Sequence, residues 1–262
     1  MRDTLKDKNY FDNLIIKLYS SQERRYKKIK NNEIKLDRLK VVKRSMSGNF
    51  NRIITAKYSR GDDMCSKDLY DDYKKEVTLL NEAWEQNTGL FPFKIGSEII
   101  LLNQYGRSAY IIMLNRLSLG VLLNASIEDY ILLVDYIDKD EVKDFLFEFL
   151  IKQLIPERKK CTQESYKDFF DINETFDSLK QVIIEDDKNL AQKGLKRFLE
   201  KEWYNCFKGT PLYNEHTNEH NTYSGYWCFV AAAIVKIKQL DDSSFKDNQY
   251  YPKDLIQSSK EQ

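Results

Sequence analysis

One stretch near the end of the chain constrains the fold more than any other. Tyr226-Trp227-Cys228-Phe229-Val230-Ala231-Ala232-Ala233-Ile234-Val235 contains no charged residue, and Lys236 is the first to break it. Wound as a helix, this run is apolar on nearly every side, which marks a buried element rather than a surface one. Ala231, Ala232 and Ala233 let neighbouring helices approach closely, while Tyr226, Trp227 and Phe229 supply large buried area. Leu240 ends the run. Asp241, Asp242, Ser243 and Ser244 follow, residue types that bond to nearby backbone and favour caps and turns. Tyr251 and Pro252 then lead into a short last helix, Pro being suited to a first helical turn.

The rest of the chain reads as helix after helix. Tyr10, Phe11, Leu14, Ile15, Leu18 and Tyr19 fall at amphipathic helical spacing, and the basic segment Glu23–Lys30 continues that helix outward. Leu36, Leu39, Val42, Met46, Phe50, Ile53, Ile54 and Tyr58 predict a second helix, which Gly61 stops. Leu69, Tyr73, Val77, Leu80 and Trp84 predict a third, with Asp71, Asp72 and Glu76 off its apolar stripe. Two Gly and Pro92 make Asn87–Gly96 a loop. Ser97–Leu123 is strongly apolar and reads as helix, with Gly106 and Gly120 as its natural breaks. Ser126 and Asp129 have capping-box spacing ahead of a helix through Ile137, and Asp138 and Glu141 repeat it before a helix carrying Phe145, Leu146, Phe149, Leu150 and Leu154. A polar stretch, Glu157–Lys167, precedes amphipathic segments on Phe176–Ile183 and Leu190–Trp203, and Gly209–Tyr223 reads as a loop. No run shows sustained period-two alternation between hairpin turns. The expected fold is therefore all-α, two packed helical bundles (1–125 and 126–262) with few or no strands.

With 262 residues, 32% of them charged, and only 9 Gly and 4 Pro, core size is not limiting and the composition suits a folded helical protein. No apolar run is long enough to span a membrane. The N-terminus mixes both charges without the apolar core of a signal peptide, so the cytoplasm is the expected location. Cys65, Cys161, Cys206 and Cys228 are scattered without metal-ligand spacing, and no structural disulfide is expected. Charge is segregated: residues 1–60 carry 17 Lys/Arg against 6 Asp/Glu, whereas residues 61–150 carry 8 against 17. Such asymmetry bears on partners, not on fold.

Two segments resemble a known family. Gly225-Tyr226-Trp227, the alanine-rich helix, Asp241-Asp242-Ser243-Ser244 and Tyr250-Tyr251-Pro252-Lys253-Asp254-Leu255 are similar, in that order, to the C-terminal domain of the PoNi immunity proteins. Ile53-Ile54-Thr55-Ala56-Lys57-Tyr58-Ser59-Arg60-Gly61-Asp62 resembles their N-terminal domain. The resemblance implies a bacterial, non-enzymatic inhibitor of a PoNe toxin, a polymorphic DNase delivered between competing cells. The family usually has Glu after the Phe of the core helix; here that position is Val230.

The residues themselves offer no catalytic constellation. Ser59 and Ser224 have no nearby His in a nucleophile arrangement, and Gly-x-Ser-x-Gly, Walker and dinucleotide motifs are missing. His216 and His220 stand four apart, but Glu219 is misplaced for a His-Glu-x-x-His metal motif, and Asn214, Asn218 and Asn221 favour a loop. No metal or cofactor is expected. Arg60-Gly61-Asp62 reads as a helix stop followed by a cap. Trp227 and the Asp-Asp-Ser-Ser turn are expected to be structural.

The acidic run Asp62, Asp63, Asp68, Asp71, Asp72, Glu76, Glu82 and Glu85 has two readings. It is an ordinary solvated helix face, or it is a partner surface that mimics the phosphate charge of DNA toward a basic nuclease groove. The resemblance makes a cognate nuclease toxin the expected partner, with no membrane and no nucleic acid. The alternative is nucleic-acid binding through Arg24, Arg25, Lys27, Lys28 and Lys30, although no helix-turn-helix or zinc finger supports it. An enzyme assembled from scattered acids ranks last.

Overall fold

The structure, a computed structural model, describes residues 1–158 and 172–257, with side chains over 176–256 in the second stretch. The polar stretch expected at Glu157–Lys167, and Cys161 with it, lies largely outside the described residues. The fold is predominantly α-helical, as expected, with a single small sheet among the described residues. It divides into two compact units, each drawn from three separated segments of chain.

Unit 1 comprises Met1–Gln86, Glu128–Tyr136 and Asn214–Gly225. Its frame is α1 (Lys8–Lys30), α2 (Leu36–Arg60) and α3 (Lys67–Glu82). Asp7 caps α1, its carboxylate accepting from the Tyr10 N–H at 2.8 Å, and Lys27, Lys28 and Lys30 occupy the last turn, where cations favour the helix dipole. Gly61 closes α2 in the left-handed conformation at φ 101°. A Cβ at Gly61 would lie 2.9 Å from the Met1 nitrogen, so only Gly fits there. Phe11, Leu14, Phe50, Ile53, Ile54, Leu69, Tyr73, Val77 and Leu80 are buried here, as their spacing requires. α5 (Ile127–Lys139) follows its predicted capping signal and contributes Glu128–Tyr136 to this unit.

Unit 2 holds the described residues of Asn87–Ile127, Ile137–Tyr213 and Tyr226–Gln262. It starts with an antiparallel hairpin, β1 (Leu90–Ile95) and β2 (Glu98–Tyr105), paired Phe91 to Leu102 through Ile95 to Glu98. The sequence reading is corrected here: Asn87–Gly96 is not all loop, and Ser97–Tyr105 is not helix. Gly96, at φ 60°, supplies the positive φ of a two-residue hairpin turn. Gly106 is the true break, and α4 (Arg107–Leu122) begins after it. The hairpin escaped detection because its apolar residues run consecutively into those of α4, without alternation.

α4 is buried on almost all sides, and α9 (Phe229–Lys238) packs against it. α6 (Phe145–Ile151), α7 (Ile172–Ile184) and α8 (Lys188–Arg197) complete the core, with the short α10 (Asp254–Gln257) beside α9. The second predicted capping box is also corrected. Asp144, not Asp138, caps α6 by accepting from the Phe147 N–H at 3.0 Å, while Asp138 is held by Arg158 at 2.5 Å. Beyond α8 the helix widens into a π turn over Phe198–Glu202, and the Trp203 N–H reaches the Phe198 carbonyl at 2.8 Å. Tyr110 stacks on Phe147 at 4.8 Å, and ring contacts continue through Phe176, Phe198, Trp203 and Phe207 to Tyr226. None of the described helices is long and apolar enough to cross a membrane.

Candidate functional site

The acidic run does not form one surface. Asp72 is only 2% exposed and Glu76 is 0% exposed, both inside unit 1. That corrects their placement off the apolar stripe. Leu69, Asp72, Tyr73, Glu76, Val77 and Leu80 stand at i, i+3, i+4, i+7, i+8 and i+11, so both acids share the buried face of α3. Asp72 is paired there: the Lys57 ammonium lies 2.7 Å from its Oδ2, and the Tyr19 hydroxyl donates to the same oxygen. A buried carboxylate needs such partners, because an isolated charge inside a protein costs several kcal/mol.

Three further members are tied to cations. Asp62 takes a bidentate clamp from Arg60, Nε to Oδ1 at 2.8 Å and Nη2 to Oδ2 at 2.6 Å, and Arg60 also reaches Asp12 at 2.8 Å. The two carboxylates hold the Arg60 guanidinium well above its usual range, and Arg60 in turn holds the Asp12 carboxyl below its own. Lys43 pairs with Glu82 at 2.9 Å and Arg44 with Glu85 at 3.1 Å, joining α2 to the end of α3. Asp63, Asp68 and Asp71 are left, and among the described residues no cation lies within ion-pairing distance of them. Asp63 and Asp68 are exposed and Asp71 is half-buried, so their negative charge faces solvent around the start of α3. The Asp63 carboxylate also accepts from the Cys65 N–H at 2.9 Å, ordering the loop before that helix.

The alternative basic segment is solvent-facing too. Arg24, Lys27, Lys28 and Lys30 are exposed on the outer turns of α1, and Arg25 bonds the Ser45 hydroxyl at 3.1 Å. His216 and His220 lie in a loop with one 3-10 turn, Glu215–Thr217, and Asn214 and Asn221 take left-handed φ of 57° and 51°. Among the described residues no group of three His, Cys, Asp or Glu side chains converges as a metal-ligand set. Cys65 is exposed, whereas Cys206 and Cys228 are buried. Burial, with Glu202 nearby, pushes the Cys206 thiol up to about 12, far from a reactive thiolate. Unit 2 has a cleft of about 800 Å³ lined by Arg107, Ser178, Glu185, Arg197, Lys201 and Glu202 among others. Its charges answer one another, since Glu202 accepts from Ser178 and pairs with Arg197 at 3.4 Å.

A family model described as PoNe immunity protein (PoNi), N-terminal, matches residues 2–133, and one described as PoNe immunity proteins (PoNi), C-terminal, matches residues 142–255. The chain belongs to the PoNi family. Comparison with curated proteins and with solved structures gave no match.

The PoNi-like segments do structural work in both units. In Ile53–Asp62, Lys57 holds Asp72, Arg60 clamps Asp62, and Gly61 makes the helix stop. The Arg2 guanidinium lies 4.5 Å over the Tyr58 ring, and the Ser59 hydroxyl donates to the Ser224 carbonyl at 2.6 Å. The loop before Gly225 is fastened by further bonds: Tyr223 to the Asp3 carboxylate at 2.6 Å, Tyr10 to the Tyr223 carbonyl at 2.8 Å, and Arg52 to the Thr222 carbonyl at 2.8 and 3.2 Å. Gly225 takes φ 142°, a backbone state that side chains disfavour.

In unit 2, Tyr226 and Trp227 precede α9 in non-helical chain rather than lying on it. The Trp203 indole N–H donates to the Tyr226 carbonyl at 2.7 Å, and the Cys228 N–H to the Tyr250 carbonyl at 2.8 Å. Backbone outside a helix lacks helical partners, so these bonds replace them. Asp241 turns the chain by accepting from the Ser243 N–H at 3.0 Å and its hydroxyl at 2.7 Å. Asp242 accepts from the Tyr251 hydroxyl at 3.0 Å, Ser244 offers its carbonyl to Lys196 at 3.0 Å, and Pro252 accepts from the Leu255 N–H at 3.2 Å on entering α10. Val230 is 1% exposed among apolar neighbours on α9, a position that suits it.

Proposed function

We propose that this chain binds and neutralises a cognate PoNe-type DNase toxin, protecting the cell that produces both. The observation that carries this reading is the pair of consecutive PoNi matches, over 2–133 and 142–255. Inhibition would be stoichiometric occlusion, with no chemistry by the inhibitor. A DNase must present positive potential to phosphates, and Asp63, Asp68 and Asp71 give unit 1 a solvent-facing negative edge that would be steered toward it. The cytoplasm, where genomic DNA is exposed to the toxin, is the place such an inhibitor would act.

The test is titration of the purified chain against the nuclease encoded beside it. DNA cleavage should fall to background near one molar equivalent, and the two proteins should co-elute. Undiminished cleavage with the chain in large excess would refute the proposal. The same preparation separates the competing reading through the exposed cations of α1. A chain that shifts random duplex on its own, with steep salt dependence, would be a nucleic-acid binder instead.

A further inference from the structure

Unit 1 carries a protruding arm where α1 ends and α2 begins. Lys57 pairs with Asp72 and Lys43 with Glu82, so α2 and α3 run antiparallel and α3 ends level with Lys43. Arg44 meets the chain just beyond α3, at the Ala83 carbonyl and at Glu85. The first two turns of α2, residues 36–42, therefore extend about 10 Å past α3. Arg25 bonds Ser45, so the last turns of α1 and the link 31–35 share this arm. None of residues 23–45 is buried.

Helix stability alone does not account for the residue types of the arm. Lys27, Lys28 and Lys30 suit the C-terminus of α1. At the start of α2, however, Lys35 is an N-cap that makes no side-chain cap bond, and Arg38 and Lys40 follow it. Cations there oppose the helix dipole. All six are exposed, and among the described residues no carboxylate lies within ion-pairing distance of them. Glu33 and Asp37 are the only acids between 26 and 42. Leu36 stands among these cations at 87% exposure, with Val41 37% exposed farther along α2.

We infer that this arm docks end-on against an anionic lipid surface, its cations on the headgroup phosphates and Leu36 entering between them. Three observations favour a bilayer over other anions. Successive helical residues turn by about 100°, so Lys27, Lys28 and Lys30 surround α1, and Lys35, Arg38 and Lys40 surround α2. Cations ringed about a blunt end meet a plane together, whereas a duplex would reach only those on one side. An exposed Leu gains nothing from a phosphate backbone but is accepted at the boundary of headgroups and acyl chains. Finally, five of the six cations are Lys, a residue depleted from protein–protein interfaces but typical of polybasic segments held at anionic leaflets. Surface docking needs no spanning helix, and it departs from the sequence-based expectation of no membrane, which followed from the lack of a spanning segment.

The test is co-sedimentation of the full chain with vesicles, in the absence of toxin. The chain should pellet with vesicles of phosphatidylglycerol and phosphatidylcholine in equal parts, stay in solution with phosphatidylcholine alone, and be released by high salt. Lys35→Gln/Arg38→Gln/Lys40→Gln should weaken binding roughly a hundredfold, at about fivefold per cation. Leu36→Ser should weaken it severalfold with the charge unchanged, a loss that ion attraction alone would not produce. Circular dichroism checks that each variant keeps the wild-type helicity, and if the triple variant melts, Leu36→Ser decides alone. Failure to pellet with anionic vesicles at low salt overturns the inference, as does binding that either folded variant leaves unchanged. Tighter binding to random duplex than to anionic vesicles also overturns it, and makes the arm a nucleic-acid surface instead. The inference does not rest on the toxin reading, and none of these outcomes bears on neutralisation.

Discussion

Lys57 and Asp72 show how much one residue's surroundings change its meaning. Their pair is buried and shares one oxygen with Tyr19. Lys57→Met would leave a carboxylate in the core without its cation, a change expected to cost about 3–5 kcal/mol. The double variant Lys57→Met/Asp72→Leu should cost less than the sum of the single changes, because it removes the stranded charge along with the bond. Urea denaturation followed by circular dichroism measures both. Asp144 makes a second prediction. Burial raises its carboxyl above the usual 3.8, against the opposing pull of the Phe147 N–H, Lys180 and Tyr110. The fold thus favours the protonated form, so the stability Asp144 contributes is complete below pH 3.8 and is lost as pH rises through its raised value. The melting temperature of wild type relative to Asp144→Asn should therefore fall as pH is taken from about 4 toward neutrality.

Among the elements, α9 reads as buried from its sequence, and its ending explains its lysines. Lys236 donates to the Val121 carbonyl at 2.9 Å and the Leu122 carbonyl at 3.3 Å, capping α4. Lys238 does the same for the end of α7, at Ile183 and Glu185. Cations at helix C-termini bond carbonyls that have no partner within the helix. Lys236→Met is expected to cost about 1.5–3 kcal/mol, the range for hydrogen bonds to charged groups, readable as a lowered urea midpoint at unchanged slope. The long helices were legible because burying one face imposes a period on residue types, and Gly61 announced its stop. The hairpin was not legible, since its apolar residues run on into those of α4 and most of them are exposed or only half-buried. Asp138 matched a capping motif whose carboxylate is instead held by Arg158. Asp72 and Glu76 were misread by residue type although their spacing places them on the buried face. For the candidate site, then, the pattern held the answer and chemistry obscured it.

For the whole molecule, charge is the property that reaches farthest. The negative edge left on unit 1 is narrower than the acidic run from which it comes, because Arg60, Lys43, Arg44 and Lys57 pair with Asp62, Glu82, Glu85 and Asp72, and Glu76 is buried. Reversing Asp63, Asp68 and Asp71 to Lys should slow association with the toxin and flatten its dependence on ionic strength, with helicity unchanged. Stopped-flow rates against salt concentration would show this, and identical slopes for wild type and variant would place the contact elsewhere. The loop carrying Tyr223 has a consequence of a different kind. Its hydroxyl meets Asp3 across 220 positions of chain. A ribosome extends the chain at roughly 5–20 residues per second, so α1, α2 and α3 leave the exit tunnel well before Tyr223 is translated. Until then Asp3, Ser59 and Arg52 have no final partners in that loop, and unit 1 waits half-fastened. A chain carrying Tyr223→Phe and Arg52→Met, which loses two of these fastenings, should accordingly keep its helices yet lose protease resistance in unit 1. Each newly made copy would thus complete the fastening of unit 1 only after Tyr223 has been translated.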